Sequence, residues 1–141
     1  MKISEIIKIC SPINSNPIKY SGKLVSAGRA VKINDGNEEK VDLNSLLIQH
    51  PAATFFARVT GESQFAGIVS GDMVVVDTVV EPTDGSIVCV ASNEDIFLKK
   101  YIFVDGKEFL ESADSEIEAI DPDQLLKNKI LGTVTKIIHS Y

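Results

Sequence analysis

Asp95-Ile96-Phe97-Leu98-Lys99-Lys100-Tyr101-Ile102-Phe103-Val104 runs into Asp105-Gly106-Lys107, and this passage decides the fold class. Successive side chains of a strand point to opposite faces. Read that way, Phe97, Lys99, Tyr101 and Phe103 share one face, and Ile96, Leu98, Lys100 and Ile102 share the other. Asp-Gly supplies the two positive-φ positions of a type I′ hairpin turn, so an antiparallel partner over Lys107–Ser112 is expected. Outward from this hairpin, Phe55–Thr60, Met73–Thr78, Ser86–Ala91 and Ile130–Ile138 read as further short strands, separated by Gly, Asp, Asn and Pro signals. One short helix is expected from Leu43 to His50, capped by Asp42 and ended by Pro51. Asp121-Pro122-Asp123 opens a helical turn through Leu126. The expectation is a mainly β protein with a small, curved, mostly antiparallel fold. Internal repeats and a parallel βαβ layout are not supported.

A chain of 141 residues that is 44% apolar has enough material for one core plus a tail. The apolar runs fall short of a membrane span, and Met1-Lys2-Ile3-Ser4-Glu5 lacks a signal peptide's apolar region, so a cytoplasmic protein is expected. The net charge of −6 argues against direct binding to a phosphate backbone. Its distribution is uneven. Lys2, Lys8, Lys19 and Lys23 against Glu5 give residues 1–27 a charge of +3, which leaves −9 on the remainder. A basic arm on an acidic body would be held partly by long-range attraction that salt weakens; chance asymmetry is the alternative. Within the arm, Ile3, Ile6, Ile7 and Ile9 allow one short helix or strand, and Pro12, Pro17 and Gly22 break the remainder. That is too little for a helix-turn-helix domain.

Cys10 and Cys89 lack metal or redox spacing, and Cys89 in Ile87-Val88-Cys89-Val90 reads as a small buried hydrophobe. His50 and His139 are too scattered for a metal site. His50, before Pro51, reads as part of a helix end. Asp114, Glu116 and Glu118 alternate on what is read as a solvated face. No metal and no cofactor are expected, and the glycine-rich phosphate and dinucleotide loops are absent.

The chemistry lies in Gly61-Glu62-Ser63-Gln64-Phe65, which follows the strand Phe55–Thr60. It is not a G-x-S-x-G elbow, because Phe65 occupies the fifth position. A serine becomes a nucleophile when a base takes its proton, and an uncharged lysine is one such base. Lys99 lies among aromatic residues on one face of its strand. Lys100 shares the other with aliphatic ones, so alternation alone leaves both eligible.

Val41-Asp42-Leu43-Asn44-Ser45-Leu46-Leu47-Ile48-Gln49-His50-Pro51, Gly61-Glu62-Ser63, Gly71-Asp72, Val76-Asp77, Gly85-Ser86-Ile87-Val88 and Lys99-Lys100 together resemble the peptidase domain of the LexA/UmuD family, and UmuD most closely. The resemblance extends over about Leu24 to Ile138. It implies self-cleaving serine–lysine peptidases, with Ser63 as nucleophile and Lys99 as base. It implies cleavage at Ala27-Gly28, which lies 14 residues before Asp42, the spacing that UmuD calls for. Small residues there let an extended backbone approach the nucleophile closely. The organisation it implies is an arm over 1–27 removed by self-cleavage, a linker over 28–40 and a peptidase domain over 41–141. It further implies a homodimer, stimulation of cleavage by a RecA–single-stranded DNA filament in the SOS response, and a UmuC-like Y-family polymerase partner in translesion synthesis. Two positions depart from the family: Gln64 stands where Met is usual and Glu62 where Asp is usual. A non-catalytic, antirepressor-like regulatory module and a soluble processing peptidase acting in trans are the alternatives.

Overall fold

The computed structural model describes residues 1–8, 18–21, 38–61, 65–120 and 129–141. It divides into two units, Met1–Ile9 with His50–Tyr141, and Cys10–Gln49. In the smaller unit, β2 (Ile18–Ser21) pairs antiparallel with β3 (Glu38–Val41). The helix α1 (Leu43–Leu47) follows, with the Asp42 carboxylate accepting from the Asn44 N–H at 3.0 Å and from Ser45 Oγ at 3.1 Å. The helix was expected to reach His50 and stops three residues earlier. Ile48 is already extended, and the proline that follows His50 keeps that residue out of the helical region.

The larger unit is an antiparallel sheet of eight strands: β1 (Lys2–Lys8), β4 (Thr54–Thr60), β5 (Met73–Asp77), β6 (Ile87–Ser92), β7 (Asp95–Val104), β8 (Lys107–Glu111), β9 (Ile117–Ala119) and β10 (Lys129–Ile138). Its order is β1-β4-β5-β10-β6-β7-β8-β9, and β1 also pairs with β7. Six strands therefore close into a ring, and β8 and β9 extend it beyond β7. The mainly β, mostly antiparallel expectation holds. The β7–β8 hairpin turns at Asp105 and Gly106, both at positive φ, with Val104 opposite Lys107. The helical turn expected after Asp121 lies outside the described residues.

Alternation fills the ring. Ala57 and Val59 from β4, Val74 and Val76 from β5, Cys89 from β6 and Leu98 from β7 meet Ile3 of β1 and Ile68 in one buried cluster. A second cluster forms on the other face of β6 and β7 from Val88, Val90 and Tyr101, with Leu110 of β8. Gly132 of β10 lets that strand lie against β5: a Cβ there would come within 2.8 Å of Val76 Cγ1 and 2.9 Å of the Asp77 carbonyl oxygen.

The first strand was not anticipated as part of this body. Ile3 to Lys8 run antiparallel to β4, and Lys2 faces both Thr60 of β4 and Phe97 of β7. The Leu98 N–H donates to the Met1 carbonyl at 3.0 Å. Ile3 is 7% exposed and belongs to the main core. Among the described residues, no helix is long and apolar enough to cross a membrane.

Candidate active site

Lys99 occupies the middle of β7, opposite Val88 of β6. Strand parity puts it on the face of Phe97 and Tyr101, while Leu98 turns into the ring. The residue is only 9% exposed, an unusual environment for a lysine. It lines a cleft with Met1, Phe97, Ser112, Ala113 and Asp114. The carboxylate of Glu118, on β9, lies 3.9 Å from its Nζ and is half exposed. Lys100, on the opposite face, is less buried. Of the two lysines, Lys99 is the one set in a cleft.

Ser63, Glu62 and Gln64 lie outside the described residues, as do Ala27 and Gly28. The connection between β4 and β5 is described on both sides of positions 62–64. At its start, Gly61 follows the last residue of β4. A methyl group at Gly61 would come within 3.4 Å of Met1 Cγ, so this backbone runs beside the N-terminal residue. At its far end, Phe65 and Ile68 exchange backbone hydrogen bonds of 3.0 and 2.8 Å around Ala66 and Gly67, both at positive φ. Ile68 is fully buried and anchors that turn in the core. The Gly71 N–H donates to the Val59 carbonyl at 2.9 Å, and the Val59 N–H to the Asp72 carbonyl at 3.0 Å, closing the base of the loop.

Two carboxylate–histidine pairs brace the ends of β5. Asp72 accepts from the Val69 N–H at 3.0 Å and pairs with His139 Nδ1. Those partners hold its carboxyl below the ordinary carboxylate range, the Val69 N–H most strongly and His139 next, against the opposing effect of burial. At Asp77, burial pushes upward, but His50 Nδ1 at 2.5 Å and the Val79 and Val80 N–H groups prevail, and the net direction is again down. Cys89 is enclosed in the core, and burial pushes its thiol up to about 12, leaving it an inert hydrophobe.

Three features of the cleft were not found from sequence. Met1 and the Ser112–Asp114 turn line it, and Glu118, read as one of a solvated series, reaches Lys99. Met1 reaches β7 by pairing between segments far apart in the chain, for which the local pattern carries no signal, whereas the Ser112–Asp114 turn and Glu118 arrive through the β7–β8–β9 run, of which only the β7–β8 hairpin was legible. The His50–Asp77 pair spans 27 residues and the His139–Asp72 pair 67, and these were equally invisible.

Residues 19–135 match the family model described as Peptidase S24-like. The chain belongs to that family. Among its relatives, the protein ImpA of Escherichia coli is 38% identical over 116 residues, covering 80% of this chain and 77% of its own. The protein SamA of Salmonella typhimurium (strain LT2) is 37% identical over 106 residues, covering 74% of this chain and 73% of its own. The protein MucA of Escherichia coli is 30% identical over 113 residues, covering 79% and 77%. The S24-like chain is thus a UmuD-like member of the LexA/UmuD family, placed among self-cleaving serine peptidases and the proteins of SOS mutagenesis.

Proposed function

We propose that the chain is an autocatalytic serine endopeptidase that cuts its own Ala27-Gly28 bond with Ser63 as nucleophile and Lys99 as general base. The observation that supports this reading best is the burial of Lys99 in a cleft on β7, beside the strand whose partner β4 leads into the Ser63 loop. In its uncharged form Lys99 accepts the Ser63 hydroxyl proton. The Ser63 oxygen attacks the Ala27 carbonyl carbon, and the negative charge develops on the carbonyl oxygen. Backbone N–H groups of Glu62 and Ser63 are the donors the family resemblance assigns to that oxygen, each worth roughly 3 kcal/mol in enzymes of this type. Lys99 then returns the proton to the Gly28 nitrogen as the peptide bond breaks. Water gives a proton to Lys99 as it attacks the acyl-enzyme, Lys99 passes that proton to the departing Ser63 oxygen, and the acid formed at Ala27 loses its own proton to solvent as a carboxylate.

The Glu118 carboxylate, 3.9 Å from Lys99 Nζ, stands beside the atom that takes the Ser63 proton in this reading. The biological setting follows the family: a cytoplasmic homodimer whose cleavage is stimulated by a RecA–single-stranded DNA filament, and which then acts with a UmuC-like Y-family polymerase in translesion synthesis. The fragment over 41–141 is the peptidase domain in this reading, and 28–40 the linker. The test is incubation of purified protein with and without activated filament, followed by N-terminal sequencing. A new N-terminus at Gly28, absent in Ser63→Ala and in Lys99→Ala, is the expected result. A protein that stays whole throughout supports the non-catalytic regulatory module instead.

A further inference from the structure

Strand β1 lies between the two strands that matter for catalysis. On one side is β4, which leads into the Ser63 loop, and on the other is β7, which carries Lys99. The Met1 residue touches both: its side chain is next to Gly61, its carbonyl accepts from Leu98 N–H, and it lines the Lys99 cleft. Beyond it, Ile3 enters the core opposite Val59. Ser4 Oγ donates to the Arg58 carbonyl at 3.2 Å. Pairing with β4 continues to Lys8 opposite Phe55. None of these contacts depends on the chain between β1 and β4. Cutting that chain at Ala27-Gly28 leaves every one of them in place, whereas departure of β1 would open the ring, expose two strand edges and uncover Val59 and Leu98.

We propose that the seam between β4 and β7 is a strand-acceptor site, and that Met1–Lys8 remains in it as a non-covalent ligand after the chain has been cut. The ligand it takes is an extended peptide, recognised by backbone pairing along β4 and by apolar side chains at positions 1 and 3. The ion pairs at the rim, Lys2 with Asp95 at 3.0 Å and Glu5 with Arg58 at 3.5 Å, join exposed groups and set register more than affinity. Retention therefore rests on strand pairing and burial, not on the attraction of a basic arm for an acidic body. Cleavage yields a two-chain protein with its Lys99 cleft still walled by Met1. Only exchange of the strand opens the seam.

This inference rests on the proposed cut, so the experiment supplies a cut of its own. A site-specific protease sequence replacing residues 25–30 in the full Ser63→Ala chain allows complete cleavage without self-processing. The cut protein is passed through gel filtration at low and at 1 M salt and measured by native mass spectrometry. The N-terminal fragment is expected to travel with the body in both. A labelled synthetic peptide of residues 1–9, added in excess, is expected to exchange into the cut protein. The same peptide carrying Ile3→Asp is expected to bind at least tenfold more weakly. A body that unfolds when the fragment is displaced and refolds with the peptide gives the same answer by another route. Loss of the fragment from a body that remains folded, release by salt, or equal binding of the two peptides overturns the proposal. Failure of the wild-type chain to cut itself refutes the peptidase reading and leaves this outcome independent.

Discussion

Gly132→Ala puts a number on the closeness of β5 and β10. The new Cβ would lie 2.8 Å from Val76 Cγ1, 2.9 Å from the Asp77 carbonyl oxygen and 3.2 Å from its carbon. Carbon atoms rest at about 3.5–4.0 Å, so the first contact is short by roughly 0.7 Å. Val76 cannot give way by rotating, because it is fully buried and β-branched. The other two atoms are backbone. The strands must therefore part, at an overpacking cost of about 1–3 kcal/mol. Against this, alanine narrows the unfolded ensemble and returns about 0.4–1 kcal/mol. The net expectation is a loss of about 1–2 kcal/mol, which for a chain of this size lowers Tm by roughly 3–8 °C. The protein has no tryptophan, so urea and thermal unfolding are best followed by far-ultraviolet circular dichroism. An unfolding midpoint equivalent to wild type within about 0.5 kcal/mol would show that β5 and β10 do not approach as described.

Lys99→Ala and Ser63→Ala are each expected to slow self-cleavage by roughly 10²–10⁴-fold or more while the body stays folded, and Lys100→Ala to retain it; a dead Lys100→Ala beside an active Lys99→Ala, scored on denaturing gels, assigns the base to the other face. Gly28→Glu adds a side chain and a charge at the proposed scissile bond and is expected to leave the chain uncut with activated filament present; a product starting at residue 28 by mass spectrometry would remove the requirement for small groups there. Stability should also fall in acid. Asp72 and Asp77 are held below their unfolded value of about 3.9, so their contribution is complete above that value and is lost as pH falls through the lower, folded one. Denaturant midpoints measured from pH 6 to pH 2 are expected to drop less in Asp77→Asn, and an identical drop would exclude Asp77 as a source.

The readable parts of this sequence are those in which neighbours in the chain settle the geometry. Asp105-Gly106 dictates a turn by backbone sterics alone, and the alternation beside it puts Lys99 with Phe97 and Tyr101 and turns Leu98 inward. The cleft around Lys99 was not readable because its walls come from Met1 and from the turn at Ser112–Asp114, which only pairing across the sheet brings together. Glu118 illustrates the same limit. Alternation places it correctly on one face of a short strand, but says nothing of which side chain that face will meet.

The N-terminal segment stays open between helix and strand in the sequence for a more specific reason. Ile3, Ile6 and Ile7 are spaced three and four apart, which is the signature of a helix and not of a strand. The structure resolves this through a bulge. Ile3 lies opposite Val59 and Glu5 opposite Arg58, so Ser4 is an extra residue with no opposite number in the β4 register. Because of it, Ile3 and Ile6 fall opposite Val59 and Ala57, two residues apart on β4 and on one face, although they are three apart on β1. Ile7 then falls opposite Phe56, on the other face. The bulge thus brings the three-residue spacing of Ile3 and Ile6 into register with β4, although of the two only Ile3 is buried and Ile6 stays 44% exposed. Tertiary pairing decides between the two readings, since an isolated segment this short gains little as a helix in water, while the edges of β4 and β7 offer hydrogen bonds and a core position for Ile3. The strand that walls the Lys99 cleft is specified by its acceptor as much as by its own residues.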